Sequence, residues 1–223
     1  MLRYRISAGT VPMLKFTVTL PSDAAHSVIY LLNDSMEVSA LPHAAVVSVE
    51  VPDWNRDLSP WKAERVFRKR DDFAGGAKEF LHKLLEIVPE AEKMLGFVPE
   101  FRGIAGYSLA GLFAVWTLYR TDVFSRAASM SGSLWFDGFA EFMEEHRPVN
   151  APEKVYLSVG EREKQTKNVR MAQVEACTVR TAEILRGYGT DVRFDLNPGG
   201  HFDEVPGRIG RGLRWIGEPS ELK

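Results

Sequence analysis

The sequence predicts an α/β protein: a doubly wound, mostly parallel sheet with an antiparallel hairpin at its N-terminal edge and helices on both faces. Three observations predict it. Short, nearly continuous apolar runs recur along the chain, and strands buried on both faces of a parallel sheet read this way. Stretches with apolar residues at helical spacing lie between those runs, and alternation of strands with helices builds a parallel sheet. Residues 2–20 instead alternate with a period of two, as strands with one wet face do.

In chain order, Leu2, Tyr4 and Ile6 alternate with Arg3, Arg5 and Ser7, and Leu14, Phe16, Val18 and Leu20 alternate with Lys15, Thr17 and Thr19. The Ser-Ala-Gly-Thr break at 7–10 makes the two segments a hairpin of edge strands. Val28–Leu32 and Ala45–Val49 follow as buried strands. Residues 74–95 carry Phe80, Leu81, Leu84, Leu85 and Val88 at helical spacing, and residues 109–120 are apolar nearly all round, which predicts a buried helix. Val155–Val159 and, less purely, Val192–Leu196 are the last two buried strands, separated by an amphipathic helix over 169–187 that ends at Gly187.

Composition narrows the function. The 223 residues fit one domain, 1–223, with no large lid domain, and 45% hydrophobic with 26% charged residues is ordinary globular usage. Lys plus Arg number 28 against 30 Asp plus Glu, a net charge of −2, so no basic excess favours nucleic acid or an acidic membrane. The single cysteine, Cys177, allows no internal disulfide and no Cys-based zinc site. The first ten residues hold no apolar leader, and no apolar run approaches the ~18–20 residues of a membrane helix. A cytoplasmic protein is the expectation. Neither a G-x-G-x-x-G nor a G-x-x-x-x-G-K-[ST] motif follows a strand, which speaks against a P-loop or dinucleotide enzyme.

The most informative segment is Ile104-Ala105-Gly106-Tyr107-Ser108-Leu109-Ala110-Gly111. A short apolar strand runs through Gly-x-Ser-x-Ala directly into the buried helix, the context a nucleophile elbow requires. The serine sits on a sharp, strained turn. Small residues are needed two positions before and after it, because strand and helix nearly touch there. The turn also aims the Leu109 N–H at a developing oxyanion, with the helix N-terminus behind it.

Serine hydrolases of this type place the acid and then the histidine after the nucleophile. Of the five histidines, His26 and His43 precede the elbow and flank a strand, His82 lies on a helix, and His146 closes the charged run Glu144-Glu145-His146-Arg147. His201 alone follows the last strand, on the loop Asn197-Pro198-Gly199-Gly200-His201. The acid belongs after strand 155–159, in Gly160-Glu161-Arg162-Glu163-Lys164. A position three residues past the strand-ending glycine selects Glu163, with Glu161 in reserve, and its task is to hold the imidazole tautomer.

With these residues placed, the chain resembles the putative-esterase family of α/β-hydrolases. That family includes enterochelin-type siderophore esterases, esterase D, feruloyl and acetyl-xylan esterases, and mycolyltransferases. The matching pieces span about residues 12–206: Tyr30-Leu31-Leu32, Arg56-Asp57-Leu58-Ser59-Pro60, Gly75-Gly76-Ala77 before Phe80-Leu81, the elbow, Ser131-Gly132-Ser133-Leu134-Trp135, the Glu163 loop and Gly200-His201-Phe202. The Arg-Asp-Leu-Ser-Pro and Ser-x-Ser-x-Trp pieces lean toward the siderophore-esterase-like branch. The resemblance implies that Ser35 donates the second oxyanion N–H, although Asn33-Asp34 stands where Asp-Gly is usual. It also implies that Arg56 faces the cleft and binds an anionic or polyhydroxylated acyl part. The residues themselves equally allow Arg56 to pair with Asp57 or Asp53 on the surface. Trp135 either lines the cleft beside Ser108 or packs in the core, and Trp61, with Trp54, borders the Arg56 loop.

The function expected is a carboxylic-ester hydrolase working through an acyl-enzyme, with a small-molecule ester as partner and no cofactor. An acyltransferase or thioesterase on the same scaffold is the alternative within the fold. A non-catalytic binding protein is the alternative outside it. Whether the protein is a monomer or a homodimer is not written in these residues.

Overall fold

The structure, a computed structural model, describes residues 3–6, 14–20, 26–33, 39–67 and 69–219. Its strands are β1 (Arg3–Ile6), β2 (Phe16–Thr19), β3 (Ser27–Asn33), β4 (Ala44–Glu50), β5 (Lys62–Ala63), β6 (Phe73–Ala74), β7 (Phe101–Tyr107), β8 (Arg126–Met130), β9 (Lys154–Gly160) and β10 (Asp191–Asn197). Its helices are α1 (Trp54–Asp57), α2 (Ala77–Glu92), α3 (Leu109–Thr117), α4 (Phe139–Glu145), α5 (Val174–Arg186) and α6 (Val205–Gly217), with a 3₁₀ turn at Met171–Gln173 before α5.

Eight strands form one sheet in the order β1-β2-β4-β3-β7-β8-β9-β10, and β5 pairs with β6 in a small ribbon. From β4 to β10 every pairing is parallel, while β1–β2 and β2–β4 are antiparallel. The chain thus has the predicted mostly parallel sheet with an antiparallel edge pair. Two expectations about edges are corrected. β2 is not an edge strand, because it sits between β1 and β4. β10 is not buried on both faces: it is the far edge of the sheet, and most of its residues are exposed or half-exposed. Its Asp191, Arg193 and Asp195 are the charges an open edge carries.

Alternating strand residues feed two cores. Val28, Tyr30 and Leu32 face one layer, packed with Phe80, Leu84, Leu112, Phe113, Trp116 and Leu185 from α2, α3 and α5. Ile29 and Leu31 face the other, where Ile209, Leu213 and Ile216 of α6 meet Met130 and Tyr156. Helices therefore cover both faces, the second through α6. The helix expected over 74–95 is shorter, Ala77–Glu92, and the one expected over 109–120 ends at Thr117. Within 169–187 the first turn is 3₁₀ and the α-helix begins at Val174.

Besides the short α1, β5 and β6, two longer elements escaped the sequence pattern. β8, Arg-Ala-Ala-Ser-Met, has none of the β-branched residues that mark strands. α6 contains Gly207, Gly210 and Gly212, which lower helix propensity by roughly 1 kcal/mol each relative to alanine. Gly212 has a packing reason: a Cβ there would lie 2.6 Å from the Met130 sulfur and 3.1 Å from the Tyr156 ring. The glycine lets α6 lie close on β8 and β9. Among the described residues, no helix is long and apolar enough to cross a membrane.

Candidate active site

The parallel register sets the geometry. β7 pairs with β8 up to Tyr107↔Met130, β8 with β9 up to Met130↔Ser158, and β9 with β10 up to Gly160↔Asn197. Each strand delivers its following segment to the same edge: Ser108 after β7, Ser131–Ser133 after β8, Glu161–Glu163 after β9 and Pro198–His201 after β10. This is where open α/β sheets gather their functional groups.

Ser108 has φ 57 and ψ −122, a left-handed backbone that costs a non-glycine residue roughly 1–3 kcal/mol. Its N–H donates to the Met130 carbonyl at 3.0 Å, and the Ser133 N–H donates to the Ser108 carbonyl at 3.0 Å. These two bonds clamp the strained turn between β8 and the segment after it. The close approach is measurable at Gly106, where a Cβ would lie 2.4 Å from the carbonyl carbon of Ala110 and 2.5 Å from its Cβ and oxygen. Ala110 fits because position 106 leaves that space empty. Leu109 opens α3, so its N–H belongs to the first turn, which has no intrahelical acceptor. Ser35, expected as the second oxyanion donor, lies outside the described residues.

The structure brings Ser108, His201 and Glu163 into one hydrogen-bonded line. His201 Nε2 is 3.1 Å from Ser108 Oγ, and His201 Nδ1 is 2.7 Å from Glu163 Oε2. Glu161, the reserve acid, is exposed instead, and its Oε1 accepts from the Gly199 N–H at 3.5 Å. Its backbone N–H donates to the Asn197 carbonyl at 2.8 Å and that of Arg162 to Gly199 at 3.0 Å. These bonds extend the β9–β10 ladder into the acid and histidine loops. Of the other histidines, His26, His43, His82 and His146 are exposed.

The Glu163 side chain is only 4% exposed. Burial pushes its carboxyl up, but the His201 hydrogen bond and charge, the Gly160 N–H and the Ser131 hydroxyl outweigh it and hold the group below the usual carboxylate value. Oε1 accepts from Gly160 N–H at 2.7 Å and from Arg208 Nη1 at 3.1 Å. Arg208 was not among the residues the sequence singled out. It lies on the helix that the sequence pattern missed and is surrounded by apolar and small residues, so no local signal marks it. Tyr107, the residue before the elbow serine, donates its hydroxyl hydrogen to the His201 carbonyl, and its ring lies 5.3 Å from the imidazole. Burial pushes the Tyr107 phenol up from its ordinary value. Ser133 Oγ stands 3.5 Å from Ser108 Oγ.

The expected substrate contacts fare differently. Arg56 donates from Nε to Asp57 Oδ1 at 2.8 Å and from Nη2 to Asp57 Oδ2 at 3.1 Å. Its side chain is half-exposed while Asp57 is buried. Of its two readings the structure displays the surface pair. Trp61 donates its indole N–H to the Asp137 carbonyl at 2.9 Å and packs edge-on to Phe136. Trp135 is half-buried under the Arg170 guanidinium, 5.8 Å from its ring centre, and lines a cavity of about 310 Å³ with Gln173, Cys177 and Arg180. Among the described residues, no three His, Cys, Asp or Glu side chains cluster as metal ligands would.

A family model described as putative esterase matches residues 23–202. The chain belongs to that family. A curated relative of this chain, the uncharacterized protein YbbA of Bacillus subtilis, is 25% identical over 143 residues, covering 62% of this chain. The match spans 57% of that protein, so the chain covers little more than half of its curated relative's length. Among solved structures, an IroE-like serine hydrolase from Shewanella oneidensis superimposes with a TM-score of 0.74 at 17% identity, covering 96% of this chain and 79% of that one. A siderophore hydrolase, EstA, from Aspergillus nidulans gives 0.66 at 17% identity, with 97% and 93% covered. These likenesses establish the α/β-hydrolase fold of the chain.

Two outcomes test the site's construction. Gly106→Ala forces a methyl into the Ala110 backbone and should cost about 3 kcal/mol. Ala110→Gly in that background should not recover the loss, since the carbonyl carbon and oxygen remain in the way; urea unfolding of the single and double variants checks this. Glu163 gains stability from folding because its folded value is lowered. That stability is fully present above the unfolded value of about 4.3 and is lost as the pH falls through the lower folded value. Glu163→Gln, which also strands Arg208, should be about 3 kcal/mol less stable than wild type at pH 7. The gap should close as the pH falls below about 4, as read from unfolding midpoints across the pH series.

Proposed function

We propose that the protein is a serine-dependent carboxylic-ester hydrolase acting through an acyl-enzyme. The observation that carries this reading is the line from Ser108 Oγ to His201 Nε2 at 3.1 Å and from His201 Nδ1 to Glu163 at 2.7 Å, mounted on a strained elbow. Membership of the esterase family supports the reaction class.

In this mechanism Ser108 Oγ attacks the ester carbonyl carbon while His201 Nε2 takes the hydroxyl proton. The carbonyl oxygen becomes an oxyanion held by the N–H of Leu109 and that of Ser35. Glu163 keeps Nδ1 protonated and stabilises the imidazolium. The C–O bond to the alcohol breaks, and His201 hands its proton to the leaving oxygen. Water, activated at the same nitrogen, then attacks the acyl-enzyme, and Ser108 recovers its proton as the acid departs. One domain, 1–223, carries all of these groups.

The substrate class proposed is a small acyl ester, aryl or siderophore-type; the naming of the structurally similar Aspergillus nidulans protein as a siderophore hydrolase supports it. Trp135 and Trp61 supply aromatic surface to the acyl part. Arg56 offers the two N–H groups of Nη1, a nitrogen that Asp57 does not engage.

A fluorophosphonate probe should label wild type and leave Ser108→Ala unlabelled. His201→Ala should lose on the order of 10³-fold or more in kcat on p-nitrophenyl acetate, while His146→Ala loses little. Equal labelling of the serine variant, or reversed histidine effects, sinks the assignment. If Arg56 binds substrate, Arg56→Ala should raise KM about tenfold for an anionic ester and leave p-nitrophenyl acetate nearly unchanged. An equal response of both esters removes Arg56 from the site.

A further inference from the structure

Beneath the Ser108–His201–Glu163 line lies a charge that the mechanism does not use. Arg208, on α6, is 0% exposed. A guanidinium is desolvated so completely only when it is paired and held. Its Nη1 lies 3.1 Å from Glu163 Oε1, 2.9 Å from Ser131 Oγ and 3.3 Å from the Tyr107 hydroxyl. Its Nη2 donates to the Pro198 carbonyl at 2.9 Å. One planar group therefore touches the residue before Ser108, the segment after β8, the acid and the loop that carries His201. The local backbone is shaped around it: Ser131 has φ 46, and a Cβ on Gly160 would lie 2.9 Å from Arg208 Nη2.

Resting on the reading of Ser108, His201 and Glu163 as the catalytic groups, we propose that Arg208 is the positioning residue of this site, fixing the Glu163 carboxylate and its neighbouring loops in register and setting, by its charge, the pH range over which His201 works. Glu163 shares its two oxygens between two cationic partners. Oε1 faces Arg208 and Oε2 faces His201. Part of the carboxylate's field is thereby spent on the guanidinium. The groups facing Glu163 are His201 from its loop, Arg208 from α6 and Tyr107 from β7. Glu161, Arg162 and Asp203 lie on the same loops but are exposed. The planar fork matters as well as the charge. An ammonium is a point charge without the rigid geometry that meets Glu163, Ser131, Tyr107 and Pro198 together.

Two variants separate charge from geometry. Arg208→Lys keeps the charge and loses the fork. It should lower kcat on p-nitrophenyl acetate about tenfold or more, with KM little changed and the acid limb of kcat/KM in place. Arg208→Met keeps the length and loses the charge. Glu163 then acts on His201 alone, protonation of the imidazole becomes easier, and the acid limb should move up by about one pH unit. Wild type and Ser108→Ala are assayed alongside, with every rate corrected for the folded fraction from melting curves. If wild type shows no Ser108-dependent hydrolysis, the reading of the site fails. If wild type hydrolyses the ester and both Arg208 variants retain its kcat and acid limb per folded molecule, the inference is overturned and the reading of the site stands. Should Arg208→Met not fold, Arg208→Lys decides alone: reduced kcat at unchanged KM sustains the inference, and wild-type kcat overturns it.

Discussion

The parallel hydrogen-bond register of β7, β8, β9 and β10 is the constraint on which the site depends. The side chains that matter sit within a few residues of the strands' C-terminal ends, and a slip of one residue in any pairing would turn its side chains to the opposite face. The ladder runs unbroken through Tyr107↔Met130, Met130↔Ser158 and Asn197↔Gly160. It then continues past the strand ends through Glu161 N–H to Asn197 and Arg162 N–H to Gly199. The acid and histidine loops therefore inherit the sheet's precision. Flexible connectors could not hold three polar groups within hydrogen-bond distance at so small an entropic cost.

Local strain is concentrated where that precision is greatest. Ser108 and Ser131 both adopt positive φ, at the ends of adjacent strands. Each is held by a backbone bond to the neighbouring strand, Ser108 N–H to Met130 and Ser131 N–H to Ser158. The buried sheet supplies the free energy that keeps these turns in place. A glycine at either position would relax the backbone and abolish the hydroxyl the site uses.

How much of this was legible in the sequence depended on the kind of signal. The elbow was, because the steric demand at Gly106 and the change from a strand pattern to a buried helix are both local. His201 stood out because the other four histidines fall on helices or ahead of the elbow. The loop 160–164 contains two glutamates of equal chemical competence; the spacing from Gly160 favours Glu163, and the turn that directs Glu163 inward and Glu161 outward is visible only in the structure. β8 and α6 were not legible, since small residues and glycines there answer to close packing rather than to propensity. Arg208 was hidden for the same reason: its partners lie at positions 107, 131, 163 and 198, and no window of sequence contains them together. Edge strands misled in the opposite direction, because alternation reports a wet face and not a free edge.

The α6 helix joins two roles that many folds keep apart. Ile209, Leu213 and Ile216 are its contribution to the second core, and Arg208 reaches from the same helix to Glu163. Any fluctuation that lifts α6 exposes that core and strips a counter-ion from the acid in the same event. Local opening there cannot be a silent breathing motion. The packing of the second core and the order of the carboxylate beside His201 are thus tied to one helix.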